Sequence, residues 1–260
     1  MGRWLVGCLA LALLSGAQAD TLRAVPFTSV RLTDRFWAPR IQLNRETVLP
    51  HNFRYCEETG RIRNFDRAAG KLGGNFEGTF FDDSDVYKVI EGAAYSLHQT
   101  RDPELETLTD SVIARIAAAQ QPDGYLYCFY TARKELGKRF TDEPQMHETY
   151  CAGHLFEAAV AYFRATGKRT LLDVAIRLAD HLCTQFGPGK NTSVPGHQEC
   201  ELALVKLYEV TGTQRFLDLA SFWVNERGVG TGRKLTGDYD QDHKPLRQQK
   251  IGRASCRERV

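Results

Sequence analysis

The chain has 260 residues, 25% of them charged, with a formal net charge of +2. Arg3, Arg253, Arg257 and Arg259 against Glu258, all near the two ends, account for that bias; the remainder is near neutral and gives no support to a nucleic-acid or acidic-membrane partner. Five cysteines away from the ends, Cys56, Cys128, Cys151, Cys183 and Cys200, lack paired CxxC spacing, so neither a zinc knot nor a complete disulfide framework follows.

Residues 1–19 carry one positive charge at Arg3, an apolar run from Trp4 to Leu14 and a small-residue exit at Ala17-Gln18-Ala19, the pattern of a cleavable signal peptide. The run is about half the ~20 residues that a membrane-spanning helix needs. A secreted or periplasmic protein without a membrane partner after signal cleavage is expected. Residues 251–260 resemble, codon by codon, the translation of a common sequencing adapter, and the natural sequence is expected to stop at Lys250. Residues 20–250 then form the domain proper.

From the amino-terminal side, residues 25–34 alternate weakly and residues 66–78 are charged and glycine-rich, which predicts an extended arm on the outside before Asp83. Asp82-Asp83-Ser84-Asp85 precedes a helix expected to start near Val86, with Ser84 or Asp85 as N-cap. Phe80, Phe81 and Tyr87 flank these acids, and aromatic faces beside carboxylates suit a sugar, which needs both stacking and hydroxyl partners. A helix ends near Gln120, and Gln121-Pro122-Asp123-Gly124-Tyr125 reads as a turn.

Leu155, Phe156, Ala159, Val160 and Phe163 mark a helix, and Leu171, Leu172, Ala175, Ile176, Ala179, Leu182 and Cys183 mark a second. Thr166-Gly167-Lys168 joins them, and Gly187-Pro188-Gly189 stops the second. The hairpin recurs: Thr211-Gly212, Leu217-Asp218 and Ala220 repeat Thr166-Gly167, Leu172-Asp173 and Ala175 at a constant offset of 45 residues. A looser copy spans Ala94 to Leu97, the turn at Asp102-Pro103, and Leu105 to Ala119. Helical hairpins that cannot bury their apolar stripes alone predict an all-α toroid, and a closed α/α barrel is the form with a central pocket. Cys151, Cys183 and Cys200 fit as small core residues.

His147 and His197 each stand where a loop enters a repeated helix, so a toroid aims both at a common centre. Either could exchange hydrogen bonds with a hydroxyl or act as acid or base. Glu148, Glu199 and Glu201 are candidate partners, though acids in a first helical turn also serve the helix dipole. His154 ranks behind these two histidines. No two carboxylates identify themselves as a hydrolytic pair, and Asn191-Thr192-Ser193 forms a glycosylation sequon.

These segments together resemble glycoside hydrolase family 127, the β-L-arabinofuranosidase family. The resemblance is carried by Asp34-Arg35-Phe36-Trp37, Phe81 to Lys88, Ala119 to Leu126, His147-Glu148-Thr149-Tyr150, Gly153 to Tyr162 and Gly196 to Leu204, in the family's order. It implies the amino-terminal part of an (α/α)6 barrel, followed in the family by β-sandwich domains, and release of terminal β-L-arabinofuranose from plant-type glycans with retention of configuration. It also implies a carbohydrate partner hydrogen-bonded by His147 and His197, with Asp85 near the same pocket. The family's nucleophile is a zinc-held cysteine thiolate, completed by glutamates and further cysteines. None of the five cysteines here matches that motif, so the resemblance implies no catalytic or metal-binding residue within this chain, zinc only in the full-length parent, and an inactive, poorly soluble fragment. A sugar isomerase or epimerase on the same barrel and a noncatalytic carbohydrate-binding module are the alternatives.

Overall fold

A computed structural model describes residues 24–237 and 241–249; the expected signal peptide and adapter-derived segment lie outside them. The extended arm is confined to residues 24–36, where Arg31 donates to the carbonyls of His98 and Gln99 at 2.6 Å each and the Phe27 ring meets Tyr95 edge-on. Helices begin well before Asp83, contrary to the expectation of an arm throughout. Helix α1 (Trp37–Leu43) passes through a π-helical turn, Asn44–Val48, into α2 (Leu49–Glu58), and α3 (Arg61–Ala68) follows. Leu49, Phe53 and Cys56 do form an i, i+4, i+7 apolar stripe. Charged neighbours and a single stripe residue per turn dilute it in the sequence.

The first long helix, α4 (Asp83–Gln99), buries Val86, Tyr87, Ile90, Ala93, Ala94 and Leu97. It starts at Asp83, so neither Ser84 nor Asp85 is the N-cap. Asp82 occupies that position and its carboxylate accepts from the Thr79 N–H at 2.9 Å, which tightens the preceding turn and moves the helix start upstream. Helix α2 runs antiparallel to α4: Leu49 packs on Gly92, and Arg61, just beyond the other end of α2, pairs with Asp85 at 2.8 Å.

Helix α5 (Pro103–Ala119) returns alongside α4. Its first turn is capped by Asp102, whose carboxylate accepts from the Leu105 N–H at 3.0 Å, with Pro103 opening the helix. Arg115 ties α5 to the preceding helices by 2.6 Å contacts to Glu57 and Asp66. The turn read at Gln121 to Tyr125 is present, with Gly124 N–H donating to the Gln121 carbonyl at 2.9 Å. Two short helices follow, α6 (Cys128–Ala132) and α7 (Glu143–Met146).

The repeated hairpins are α8 (Glu148–Thr166) with α9 (Thr170–Gln185), and α10 (Glu199–Thr211) with α11 (Gln214–Glu226). Their likeness extends to single hydrogen bonds. Gly167 and Gly212 both close their helices in the left-handed conformation. The hydroxyls of Thr166 and Thr211 donate back to Tyr162 and Leu207 at 2.7 and 2.8 Å, and each accepts from the N–H two residues on at 3.2 Å.

Helices α4, α8 and α10 pack side by side as one layer, while α5, α9 and α11 form the second. The apolar core lies between the layers, with Phe156, Leu171, Leu204, Phe216 and Trp223 fully buried. The described residues contain no β-strand, only two isolated bridges. All five described cysteines are free thiols; Cys151 and Cys200 are buried and Cys183 half-buried, as their place among apolar residues predicts, and Cys56 and Cys128 are buried too. Asn191 of the sequon points its amide inward, donating to the Phe140 carbonyl at 3.1 Å. Replacing Asp102 by Ala is expected to cost about 1 kcal/mol through the lost cap. Urea unfolding checks this, and an unchanged midpoint would remove the cap from the account of α5.

Candidate functional site

Because the helices of one layer are separated by returning partners, α4, α8 and α10 run parallel and present their amino-terminal ends on the same side. Close approach brings those ends into contact. A methyl group on Gly153 of α8 would lie 2.9 Å from the backbone nitrogen of Cys200 in α10, and one on Gly196 would lie 2.7 Å from the Pro144 carbonyl of α7. Any larger residue at either place would push the two histidine-bearing segments apart.

The two predicted histidines meet there. His147 separates α7 from α8 with φ 59° and ψ 25°, a left-handed conformation uncommon outside glycine. Its ring lies edge-on to His197, centroids 5.0 Å apart. Phe81 stacks on His147 at 5.2 Å and Phe80 meets it edge-on at 5.6 Å, so the aromatic pair upstream of α4 joins the site as its composition suggested. Both histidines are half-buried.

Sequence reasoning undervalued three residues. Tyr150 lies between the histidines, 5.5 Å from His147 and 5.1 Å from His197, and its hydroxyl accepts from Lys88 at 2.7 Å. The spacing gave a signal, since Tyr150 falls one turn into the helix after His147, on the same face. Lys88 also donates to Ser84 at 3.2 Å. His154, ranked below the other two, packs on Tyr150 at 4.6 Å and faces Glu199 at 3.4 Å. Burial, then the Lys88 charge, pushes the His154 pKa down to about 4, so it is neutral at pH 7 and able both to donate and to accept.

Asp85 is not brought against either imidazole. Its carboxylate pairs with Arg61 at 2.8 Å and lies 3.9 Å from Lys88, so it reaches the cluster only through that ammonium. The neighbouring acids serve the frame. Asp83, buried beneath α4, accepts from the Cys128 N–H at 2.8 Å, and burial pushes its pKa up to about 7. Glu148 accepts from the Tyr125 hydroxyl and the Phe140 N–H, while Glu201 pairs with the fully buried Arg227 at 2.9 Å.

That arginine holds the His197 loop. Its guanidinium donates to the Pro195 carbonyl at 2.7 Å, and Trp223 donates to the Ser193 carbonyl at 3.0 Å, so the strap before His197 is fixed from α11. A cavity of about 860 Å³ lies elsewhere, against the arm and the opposite ends of the same helices at Tyr95, Arg164 and Glu209. It shares no residue with the histidine cluster.

Among the described residues no three His, Cys, Asp or Glu side chains gather as a metal ion would require. Burial also raises all five thiols above the ordinary cysteine value, the opposite of a metal-held thiolate. Among the described residues, then, these thiols belong to no zinc donor set. What the cluster offers is an aromatic-walled face with imidazole, phenol and ammonium groups, suited to a polyhydroxylated ring.

Comparison with known proteins agrees. The profile of the β-L-arabinofuranosidase GH127 catalytic domain matches residues 29–256. A non-reducing end β-L-arabinofuranosidase of Bifidobacterium longum subsp. longum is 39% identical over 224 residues, covering 77% of this chain and 34% of its own length. The crystal structure of a GH127 β-L-arabinofuranosidase from Geobacillus stearothermophilus T6 is similar with a TM-score of 0.78 at 45% identity, over 84% of this chain and 38% of that one. A second solved GH127 β-arabinofuranosidase gives 0.80 at 47% identity, over 86% and 37%. The chain thus spans about a third of the length of these relatives, and its two layers correspond to part of their α/α barrel.

Replacing Arg227 by Ala would leave Glu201 charged and unpaired in the interior, at an expected cost of about 3–5 kcal/mol in urea unfolding. A loss below about 1 kcal/mol would mean that the pair does not pin the loop.

Proposed function

This chain belongs to glycoside hydrolase family 127, and from that premise we propose that it supplies one wall of a sugar pocket in a β-L-arabinofuranosidase. The observation that carries the reading is the contact of His147 with His197 at 5.0 Å, backed by Phe81 and bridged by Tyr150. The imidazoles hydrogen-bond hydroxyls of a terminal L-arabinofuranose, and the Phe80–Phe81 pair packs against its apolar face. Lys88 keeps the Tyr150 hydroxyl oriented, and Asp85 acts on the sugar face through Lys88.

On this reading residues 20–250 are the amino-terminal part of the barrel, and the bond-breaking groups belong to the remainder of the whole protein. The family's zinc is likewise assigned to residues outside this chain, and no step of the chemistry is routed through the groups described above. Support comes from the length covered, about a third of each relative, together with the absence of a metal-competent cluster among the described residues. A secreted or periplasmic location suits an enzyme acting on plant-type glycans. No helix among the described residues is long and apolar enough to cross a membrane.

Two measurements test this reading. An aryl β-L-arabinofuranoside should be hydrolysed by the whole gene product, with activity lost on adding a strong chelator, and should be left intact by this chain; chelator-insensitive turnover by the chain alone would overturn it. In the whole protein, His147→Ala and His197→Ala should each weaken substrate binding by about 10-fold, the worth of one lost hydrogen bond, while leaving unfolding midpoints close to the parent's.

A further inference from the structure

The left-handed backbone of His147 requires a holder, because such a conformation persists in a non-glycine residue only where its surroundings impose it. Two glutamates flank it. Glu143, four residues earlier, accepts from the Thr149 N–H at 3.1 Å and from the Thr149 hydroxyl; Glu148, one residue later, accepts from the Tyr125 hydroxyl and from the Phe140 N–H at 2.8 Å. Both carboxyl groups are buried, and they touch each other. None of these four donors is cationic, and two carboxylates in contact cannot both ionise in such a place. One oxygen remains, Glu143 Oε1, buried and without any other hydrogen-bond donor. A proton carried by Glu148 supplies it.

We propose that Glu143 and Glu148 are positioning residues for His147: one proton shared between their carboxyl groups locks α7 to α8 across the left-handed junction and holds the imidazole edge-on to His197. The consequence for a sugar rests on the function proposed above; the lock itself does not.

Burial, followed by the repulsion between the two groups, raises the pKa of Glu148, and burial raises that of Glu143. The folded chain therefore holds a proton that the unfolded chain has released at neutral pH. The lock exists while the pair holds one proton, and it is lost as pH rises through the folded-state value of Glu148. The titratable groups facing the pair are the phenols of Tyr125, Tyr127 and Tyr130 and the thiols of Cys151 and Cys200, all pushed upward by burial and so neutral in that range. Asp142 is a further carboxylate on the same segment, and Arg139 stacks over the Tyr125 ring at 4.4 Å.

The test uses the full chain labelled with ¹⁵N-histidine, its ring resonances assigned through single His→Gln variants. In the parent, the His147 ring should show a transition above neutral pH, following the buried Glu148 carboxyl. Glu148→Gln retains a neutral N–H donor toward Glu143; it should keep the low-pH His147 resonances and abolish the upper transition. Glu148→Ala should displace them at every pH while His98, at the other end of α4, stays in place. An upper transition that survives in Glu148→Gln, or unchanged His147 resonances in Glu148→Ala, overturns the proposal. Should Glu148→Ala fail to fold by far-ultraviolet circular dichroism, Glu148→Gln decides alone. Methyl β-L-arabinofuranoside added to the parent separates the two readings: a silent His197 ring counts against the sugar site, while the upper transition still judges the lock.

Discussion

Everything at the site depends on how closely two parallel helices can approach. The amino-terminal ends of α8 and α10 reach a common point because Gly153 admits the backbone at Cys200 and Gly196 admits the Pro144 carbonyl. Side-chain bulk at either position would separate His147 from His197, and neither ring could then share a small ligand with the other. The histidines carry the chemistry, but the missing Cβ atoms decide whether they act together. Interiors are too densely packed to absorb such a change by small adjustments elsewhere.

Buried ionisable groups do the complementary work of fixing the loops that these helices cannot fix themselves. Asp83 reaches from α4 to the Cys128 N–H, Glu148 from α8 to Tyr125 and Phe140, and Arg227 from the end of α11 to Pro195 and Glu201. Each takes a charged or protonated group out of water and returns it to backbone amides or carbonyls. Such contacts are costly to leave half-made, so a loop held by one has few alternative positions. An edge built on them is rigid before any ligand arrives, which spares a binding step the cost of ordering it.

The sequence made the hairpin frame readable because its signals were local and repeated: Thr166-Gly167 and Thr211-Gly212 close equivalent helices with equivalent hydrogen bonds. His147 and His197 stood out for the same reason, each at the mouth of a repeat. Helices α1 to α3 escaped notice because one narrow stripe, Leu49, Phe53 and Cys56, runs among charges and meets its partner only after the chain has turned back. The expected start of α4 falls too late because three acids compete for the cap and the local turn from Thr79 to Asp82 chooses Asp82. The resemblance implied Asp85 near the pocket, but its pairing with Arg61, 24 positions earlier, is one that no local pattern announces. Tyr150 and Lys88 were written in plain view, but a phenol held by an ammonium is a pairing across 62 residues that no local pattern announces.

The repeat carries an implication for how such a protein can vary. Its offset aligns the closing turns at Gly167 and Gly212, while the linkers at the opposite ends of α8 and α10, residues 120–147 and 186–198, differ in length and content. One residue gained inside α8 or α10 would rotate everything beyond it by about 100°, carrying the apolar stripe off the core. A residue gained in a linker changes only the rim. The frame therefore acts as a ruler and the linkers as its adjustable edge, so that the shape of the rim can change without redrawing the marks below.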